Sequence, residues 1–242
     1  MTIVGRILNK LHNGDLTASA VIPAAGSSRR MGGENKLLCE ISGTPVIVHT
    51  LLAFEACPLI DEIIIVSREE DIVEFSHLCA DYEIKKVTKV VKGGAVRSES
   101  VLSGLMEVRQ GAKLVAIHDG ARPLVTPDII ENTIVCASKY SAAAPAVSLK
   151  DTIKEASGDI ILRTVSRDKL KAIQTPQVFD IELIKAALTG ALRENHAITD
   201  DCEAVELLNM PVHLVQGSYQ NIKITTPEDL LAAEAFLQGR ED

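Results

Sequence analysis

Small residues, cations and a carboxylate recur in this 242-residue sequence at points where an apolar run ends. The first such point is Ala24-Ala25-Gly26-Ser27-Ser28-Arg29-Arg30-Met31, reached from Val21-Ile22-Pro23 and followed by Lys36. Small residues let backbone N–H groups approach an anion closely, and Arg30 and Lys36 can cover charge on a transferred phosphoryl group. That combination suits a polyphosphate. An ordinary βα turn with an exposed Arg pair has the same local pattern. The segment lacks the Gly-Lys-Ser/Thr of a Walker loop and is not G-x-G-x-x-G, so a dinucleotide-dependent oxidoreductase is disfavoured.

Further segments carry chemistry of the same kind. Val91-Lys92-Gly93-Gly94-Ala95-Val96-Arg97-Ser98-Glu99-Ser100 ends a strand, turns on two glycines and opens a helix, whose first N–H groups and hydroxyls can face a base or a phosphate. Plain turns also use Gly-Gly. Ile117-His118-Asp119-Gly120-Ala121-Arg122-Pro123 places a carboxylate at a strand's C-terminal end, where open α/β sheets hold ligands. One carboxylate suits Mg²⁺, which prefers few protein oxygens beside phosphates and waters. The other reading is that Asp119 caps the turn and pairs with Arg122. Arg167, near Gln174-Thr175-Pro176-Gln177, can grip an anion through its planar fork or remain a solvated charge. Ile198-Thr199-Asp200-Asp201 reads as a helix cap. Lys223, within Asn221-Ile222-Lys223-Ile224-Thr225, points either to solvent or into a pocket. His49, His77, His196 and His213 sit in separate segments, so no His base and no Ser-His-Asp arrangement emerges.

Short Val/Ile-rich runs alternating with helical stretches must position these groups. Strands are expected at Ala20–Pro23, Glu62–Ser67, Lys86–Val91, Leu114–His118 and Ala142–Val147, and helices at Pro45–Ala56, Glu69–Ala80, Ser98–Arg109 and Pro127–Ser138. The strands are apolar without alternation, as in a parallel sheet covered on both faces. The order predicts an α/β fold with a doubly wound, mostly parallel sheet. Asp151–Ala156 and Ile160–Arg167 read as a hairpin around Ser157-Gly158-Asp159, either an arm reaching another subunit or a local flap. Helices at Ile181–Arg193 and Asp201–Asn209, strands at Val212–Gln216 and Asn221–Thr225, and a helix opened by Thr226-Pro227-Glu228-Asp229 complete the chain. Residues 1–18 form an extension, expected as a short amphipathic helix on Ile3, Val4, Ile7, Leu8 and Leu11. Residues 19–242 form one domain, with the arm at about 148–175.

Composition narrows the function. Aromatics are 3% with no Trp, which argues against base stacking on single strands, and the net charge of −8 argues against a nucleic-acid surface. The five cysteines, Cys39, Cys57, Cys79, Cys136 and Cys202, follow neither zinc nor disulfide spacing, so a cytoplasmic protein with reduced thiols is expected. No run is long enough to span a membrane, and the N-terminal segment, broken by Arg6, Asn9 and Lys10, is not a signal peptide.

Taken together, these segments resemble the 2-C-methyl-D-erythritol 4-phosphate cytidylyltransferase family. The motifs carrying the resemblance are Pro23-Ala24-Ala25-Gly26 to Arg30-Met31, Gly93-Gly94 to Arg97 with Ser100-Val101-Leu102, His118 to Pro123, Thr175-Pro176-Gln177, Ile198-Thr199-Asp200, and Asn221-Ile222-Lys223 to Pro227-Glu228-Asp229. The resemblance implies a Rossmann-like nucleotidyltransferase fold and transfer of the cytidylyl group of CTP to methylerythritol phosphate. It implies that Arg30 and Lys36 act at the α-phosphate with Arg167 and Lys223 as further catalytic cations. Ala24, Ala25, Gly26, Ser27 and Ser28 would cradle the triphosphate. Gly94 and Ser100 would hold the cytidine, Asp119 would lie near the ribose and a Mg²⁺ held mainly by the CTP phosphates, and Arg97 and Arg122 would be further substrate-binding residues. Arg167, Lys223, Thr199 and Thr152 would serve the acceptor, with Thr152 and Arg167 on an arm that reaches the other subunit of a homodimer. The chain departs from the family pattern at Glu34-Asn35, where Pro usually precedes the Lys, and at Ala95, where many members carry an acid. A cytidylyltransferase for another polyol phosphate, such as ribitol 5-phosphate, and a non-catalytic nucleotide-binding protein are the competing readings.

Overall fold

Isoleucine and valine runs build the sheet because β-branched side chains suit the pleat and meet apolar neighbours on both faces. The computed structural model describes residues 16–26 and 35–241. The helix expected near the N-terminus and the loop residues Ser27, Ser28 and Arg30 lie outside the described residues. The described elements, in chain order, are β1 (Ala18–Ala24), β2 (Glu40–Ile41), β3 (Thr44–Pro45), α1 (Val46–Ala56), β4 (Ile60–Ser67), α2 (Ile72–Asp81), β5 (Val87–Lys92), α3 (Arg97–Glu107), β6 (Leu114–Ile117), α4 (Pro127–Tyr140), β7 (Ala142–Ser148), β8 (Ile153–Ser157), β9 (Ile160–Val165), β10 (Lys171–Ile173), β11 (Gln177–Asp180), α5 (Ile181–Arg193), α6 (Asp201–Leu207), β12 (His213–Gln216) and α7 (Pro227–Glu241).

The main sheet has the order β10-β7-β11-β6-β1-β4-β5, with β12 on the free side of β7. Strands β6, β1, β4 and β5 are parallel, and β10 and β11 run against their neighbours. Side-chain alternation splits the core in two. Ile63 and Ile65 of β4 join Phe54 of α1 and Ile130 of α4 on one face. Ile64 and Val66 join Leu105 of α3, Leu188 of α5 and Val205 of α6 on the other. Helices on both faces make the sheet doubly wound, as the alternating pattern predicts. Leu16 and Ala18, assigned from sequence to the extension, are buried in the first of these clusters, and the Ala18 N–H bonds the Leu59 carbonyl.

Helix ends follow local chemistry. The Asp180 side chain accepts from the N–H groups of Glu182 and Leu183 and starts α5. Pro127 opens α4, and Ser141 at φ 68° closes it with a bond to the Ala137 carbonyl. Glu99 reaches back to the N–H groups of Ala95 and Val96, half of a capping box that Val96, lacking a side-chain oxygen, cannot complete.

Two segments differ from the sequence reading. Gln174–Gln177, given no element from sequence, leads directly into the buried strand β11, which fills the gap between β6 and β7. Asn221–Thr225 is not a strand: it threads beside the end of β6 with a single ladder-like bond, from the Ile224 N–H to the Ala121 carbonyl. The hairpin β8–β9 forms as expected and, among the described residues, pairs only with itself. Ile160, Ile161 and Leu162 on it are 69%, 63% and 58% exposed.

Candidate active site

The C-terminal ends of β1, β5 and β6 converge on a cavity of about 400 Å³. This is where an open parallel sheet offers helix N-termini and loop amides to a ligand. Ala24, Ala25, Gly26 and Lys36 line it from the first loop, Gly94, Arg97 and Ser100 from the second, Asp119 from the third, and Lys223 from the Asn221–Thr225 segment. These nine sequence-predicted residues thus come together from positions up to about 200 residues apart.

Glycine is required in the second loop by close packing. A Cβ on Gly94 would stand 2.4 Å from the Glu99 Cβ, and one on Gly93 would stand 2.7 Å from the Ser100 Oγ. The Ser100 hydroxyl accepts the Gly94 N–H at 3.1 Å and donates to the Val96 carbonyl at 3.1 Å, so it stiffens this loop from within.

Asp119 is the electrostatic centre. Its Oδ2 lies 2.7 Å from the Lys223 Nζ and 3.8 Å from the Arg122 Nε, and its Oδ1 lies 3.4 Å from the Arg97 Nη2. Burial alone would raise this carboxyl. The charges of Arg97, Lys223 and Arg122, with the Lys223 hydrogen bond, outweigh burial and hold it well below the usual carboxylate range. The reading in which Asp119 serves only Arg122 fails, because Lys223 and Arg97 approach it more closely.

Arg97 is gripped from behind. Its Nη1 and Nη2 donate to the two carboxylate oxygens of Asp201 at 2.8 and 2.7 Å, a fork-to-carboxylate match. Asp201 is fully buried at the first position of α6, and its N–H bonds the Gln177 Oε1 at 3.0 Å. Burial pushes the Asp201 carboxyl up from its ordinary value, against the pull of Arg97, while Asp201 and Asp119 together outweigh burial at Arg97 and hold its guanidinium above its ordinary value. Sequence reading saw Asp201 only as part of a helix cap; Asp200 makes the cap, accepting the Glu203 N–H, which leaves Asp201 facing inward.

Two cations knit the floor. Lys36 donates to the Ile224 carbonyl at 2.7 Å and ties the first loop to the segment bearing Lys223. Arg122, largely buried, is not among the residues that line the cavity, and it donates to the Asn221 carbonyl at 2.7 Å. Burial pushes the Arg122 pKa down.

Three predicted residues lie elsewhere. Thr199 spends its N–H and hydroxyl on Glu203, at 2.6 and 2.8 Å, at the approach to α6. Thr152 and Arg167 belong to the arm. Arg167 donates to the Lys150 carbonyl and lines a separate cleft with Ser148, Leu149, Lys150 and Asp168. None of the three lines the cavity of Asp119.

The cavity offers amides, cations and one carboxylate, which suits binding and orienting anions. Among the described residues, no group of three or more His, Cys, Asp or Glu is placed to hold a metal ion. Nor is any helix among them long and apolar enough to cross a membrane.

Comparison with known proteins supplies the context for this geometry. The sequence matches the family model of IspD, 2-C-methyl-D-erythritol 4-phosphate cytidylyltransferase, over residues 18–239. The 2-C-methyl-D-erythritol 4-phosphate cytidylyltransferase of Halalkalibacterium halodurans is 47% identical over 224 residues, covering 92% of this chain and 98% of the relative. The protein of that name from Dehalococcoides mccartyi is 44% identical over 220 residues, covering 90% and 95%. A crystal structure of 4-diphosphocytidyl-2C-methyl-D-erythritol synthase from Anaerococcus prevotii superposes with a TM-score of 0.84 at 35% identity, covering 95% of this chain and 99% of the other.

Proposed function

The chain belongs to the 2-C-methyl-D-erythritol 4-phosphate cytidylyltransferase family, and from that membership we propose how its residues divide the reaction. The enzyme is a CTP-dependent nucleotidyltransferase: it joins CTP and 2-C-methyl-D-erythritol 4-phosphate to give the cytidylyl-acceptor product and pyrophosphate in isoprenoid biosynthesis.

No protein nucleophile is needed. A phosphate oxygen of the acceptor forms the new bond to the α-phosphorus of CTP, and the α–β bridging bond breaks with its electrons passing to pyrophosphate. The protein must bring two anions together and offset charge where it develops. Lys36 and the amides of Ala24, Ala25 and Gly26 receive the triphosphate, with Arg30 of the same loop at the α-phosphate. Gly94, Ser100 and Arg97 form the cytidine wall. Lys223, held on Asp119, is the cation at hand for the acceptor's phosphate. The observation that carries this reading is the Asp119–Lys223–Arg97 cluster on the wall of a nucleotide-sized cavity.

Asp119, the single carboxylate among the described residues that line the cavity, could hold a Mg²⁺ carried by the nucleotide, and the remaining ligands would be phosphates and waters. When bound, the metal offsets triphosphate charge. Thr152, Arg167 and Thr199 complete the acceptor side in our reading, the first two from the arm of a second subunit. The exposed Ile160-Ile161-Leu162 strip and the separation of Arg167 from the cavity support a homodimer joined through this arm. The apolar burial of Cys57, Cys79 and Cys202, which pushes their thiols up, supports a reducing, cytoplasmic setting.

Pyrophosphate release tests the reading. CTP with methylerythritol phosphate should yield pyrophosphate, and CTP with ribitol 5-phosphate should not. Absence of release with methylerythritol phosphate would overturn it.

A further inference from the structure

We propose that Thr175 and His118 are positioning residues for cytidylyl transfer, a buried relay that sets the backbone of Asp119 and thereby aims its carboxylate at Lys223 and Arg97. This rests on the reading that Asp119 works in the cavity. Neither Thr175 nor His118 lines the cavity, so neither is placed to touch substrate. They are 4% and 0% exposed.

The hydrogen bonds of the relay have one consistent direction. The His118 Nε2 lies 3.2 Å from the Arg122 carbonyl, which can only accept, so Nε2 carries the proton. In the neutral ring Nδ1 is then an acceptor, and the Thr175 hydroxyl, 3.0 Å away, donates to it. The Thr175 Oγ1 keeps a lone pair for the Asp119 N–H, which donates to it at 3.2 Å. Every group is used once, and no alternative tautomer satisfies them all. Phe54, with its ring centroid 5.0 Å from that of His118 at an interplanar angle of 52°, closes the apolar side.

Thr175 also reaches the other half of the ion pair. Its carbonyl accepts from the Asn221 Nδ2 at 3.0 Å, and Asn221 stands two residues before Lys223. One residue therefore fixes the backbone of Asp119 through its hydroxyl and the segment of Lys223 through its carbonyl. The 2.7 Å contact between those two side chains is set from below. A small shift of either group matters, because misplacement of a charged group by about 1 Å can cost about a hundredfold in rate.

The experiment measures kcat and KM for Thr175→Val, which removes the hydroxyl, and Thr175→Ser, which keeps it, with melting curves as a folding check. Thr175→Val should lower kcat/KM by about tenfold to a hundredfold, and Thr175→Ser should stay within about threefold of wild type. The Thr175→Val loss should disappear in an Asp119→Asn background, because the relay acts through Asp119. Should Thr175→Val fail to fold, the His118 pair decides. His118→Asn presents an acceptor at the Nδ1 position and should retain more turnover than His118→Gln, which preserves the donor at Nε2. Wild-type turnover in Thr175→Val, its full loss persisting beside Asp119→Asn, or equal His118 variants would overturn the relay. Unchanged turnover in Asp119→Asn alone would instead overturn the role of Asp119 on which the relay rests.

Discussion

Lowering the pH from 7 to 5 should cost the wild-type protein about 2 kcal/mol of stability that the His118→Asn variant does not lose. His118 is fully buried, and burial, only partly offset by the Arg122 carbonyl and by Asp119, pushes its pKa from 6.5 down to about 3. The sign follows from linkage. Between the folded and unfolded values only the unfolded chain binds the proton, so folding weakens as pH falls below the unfolded value, by about 1.4 kcal/mol per pH unit, until the folded value is reached. Starting at pH 7, slightly above the unfolded value, the two-unit step yields about 2 kcal/mol, a sizeable part of a typical stability of about 5–15 kcal/mol. Other titrating groups are common to both chains and largely cancel in the difference. The assay is urea denaturation followed by far-UV circular dichroism at both pH values. At pH 7 the variant is less stable, having lost the Nε2 bond to the Arg122 carbonyl and the Phe54 contact. At pH 5 the gap should have closed by about 2 kcal/mol. An unchanged gap would refute the buried, neutral state of His118.

Three further outcomes are expected. Arg30→Ala should lower turnover at least about a hundredfold with the circular dichroism spectrum unchanged, because its charge acts in the transition state; wild-type turnover would refute that role. Arg97→Lys cannot reproduce the fork on Asp201 and leaves a buried carboxylate half-paired, so denaturation should show a loss of about 2–3 kcal/mol, and a change under about 0.5 kcal/mol would contradict the pairing. Mixing two inactive variants, Arg167→Ala on the arm and Asp119→Asn in the cavity, should restore about a quarter of wild-type activity, because half the dimers are mixed and each carries one intact site. No recovery on mixing would count against the shared site.

The parts of the fold legible in sequence were those with dense apolar signal. The Ile-rich run of β4, the Val-Ile run of β1 and the capped starts of α4 and α7 each combine period and punctuation. Strand β11 escaped because Gln177-Val178-Phe179-Asp180 is short and polar at both ends; the sheet, not its own propensity, makes it a strand. The Ile222/Ile224 alternation misled in the opposite direction, since only Ile224 is fully buried and no neighbouring strand pairs with the segment. In the site, Asp119 and Lys223 were visible as charges interrupting apolar runs. Asp201 was not, because its partner Arg97 lies 104 residues away in sequence and Asp200 accounted for the cap. Thr175 and His118 were quoted as motif residues, yet their joint role depends on β11 lying beside β6, which no local pattern announces. Arg167 and Thr152 belong to the arm, and neither lines the cavity of Asp119 in its own chain.

Release of pyrophosphate from CTP and methylerythritol phosphate, compared between wild type and a folded Asp119→Asn variant, is the most direct measurement. If the cavity between β1, β5 and β6 is where the cytidylyl group moves, the wild type turns over and the variant is slower by at least about a hundredfold. Wild-type turnover in the variant would place the reaction somewhere other than the Asp119–Lys223–Arg97 cluster.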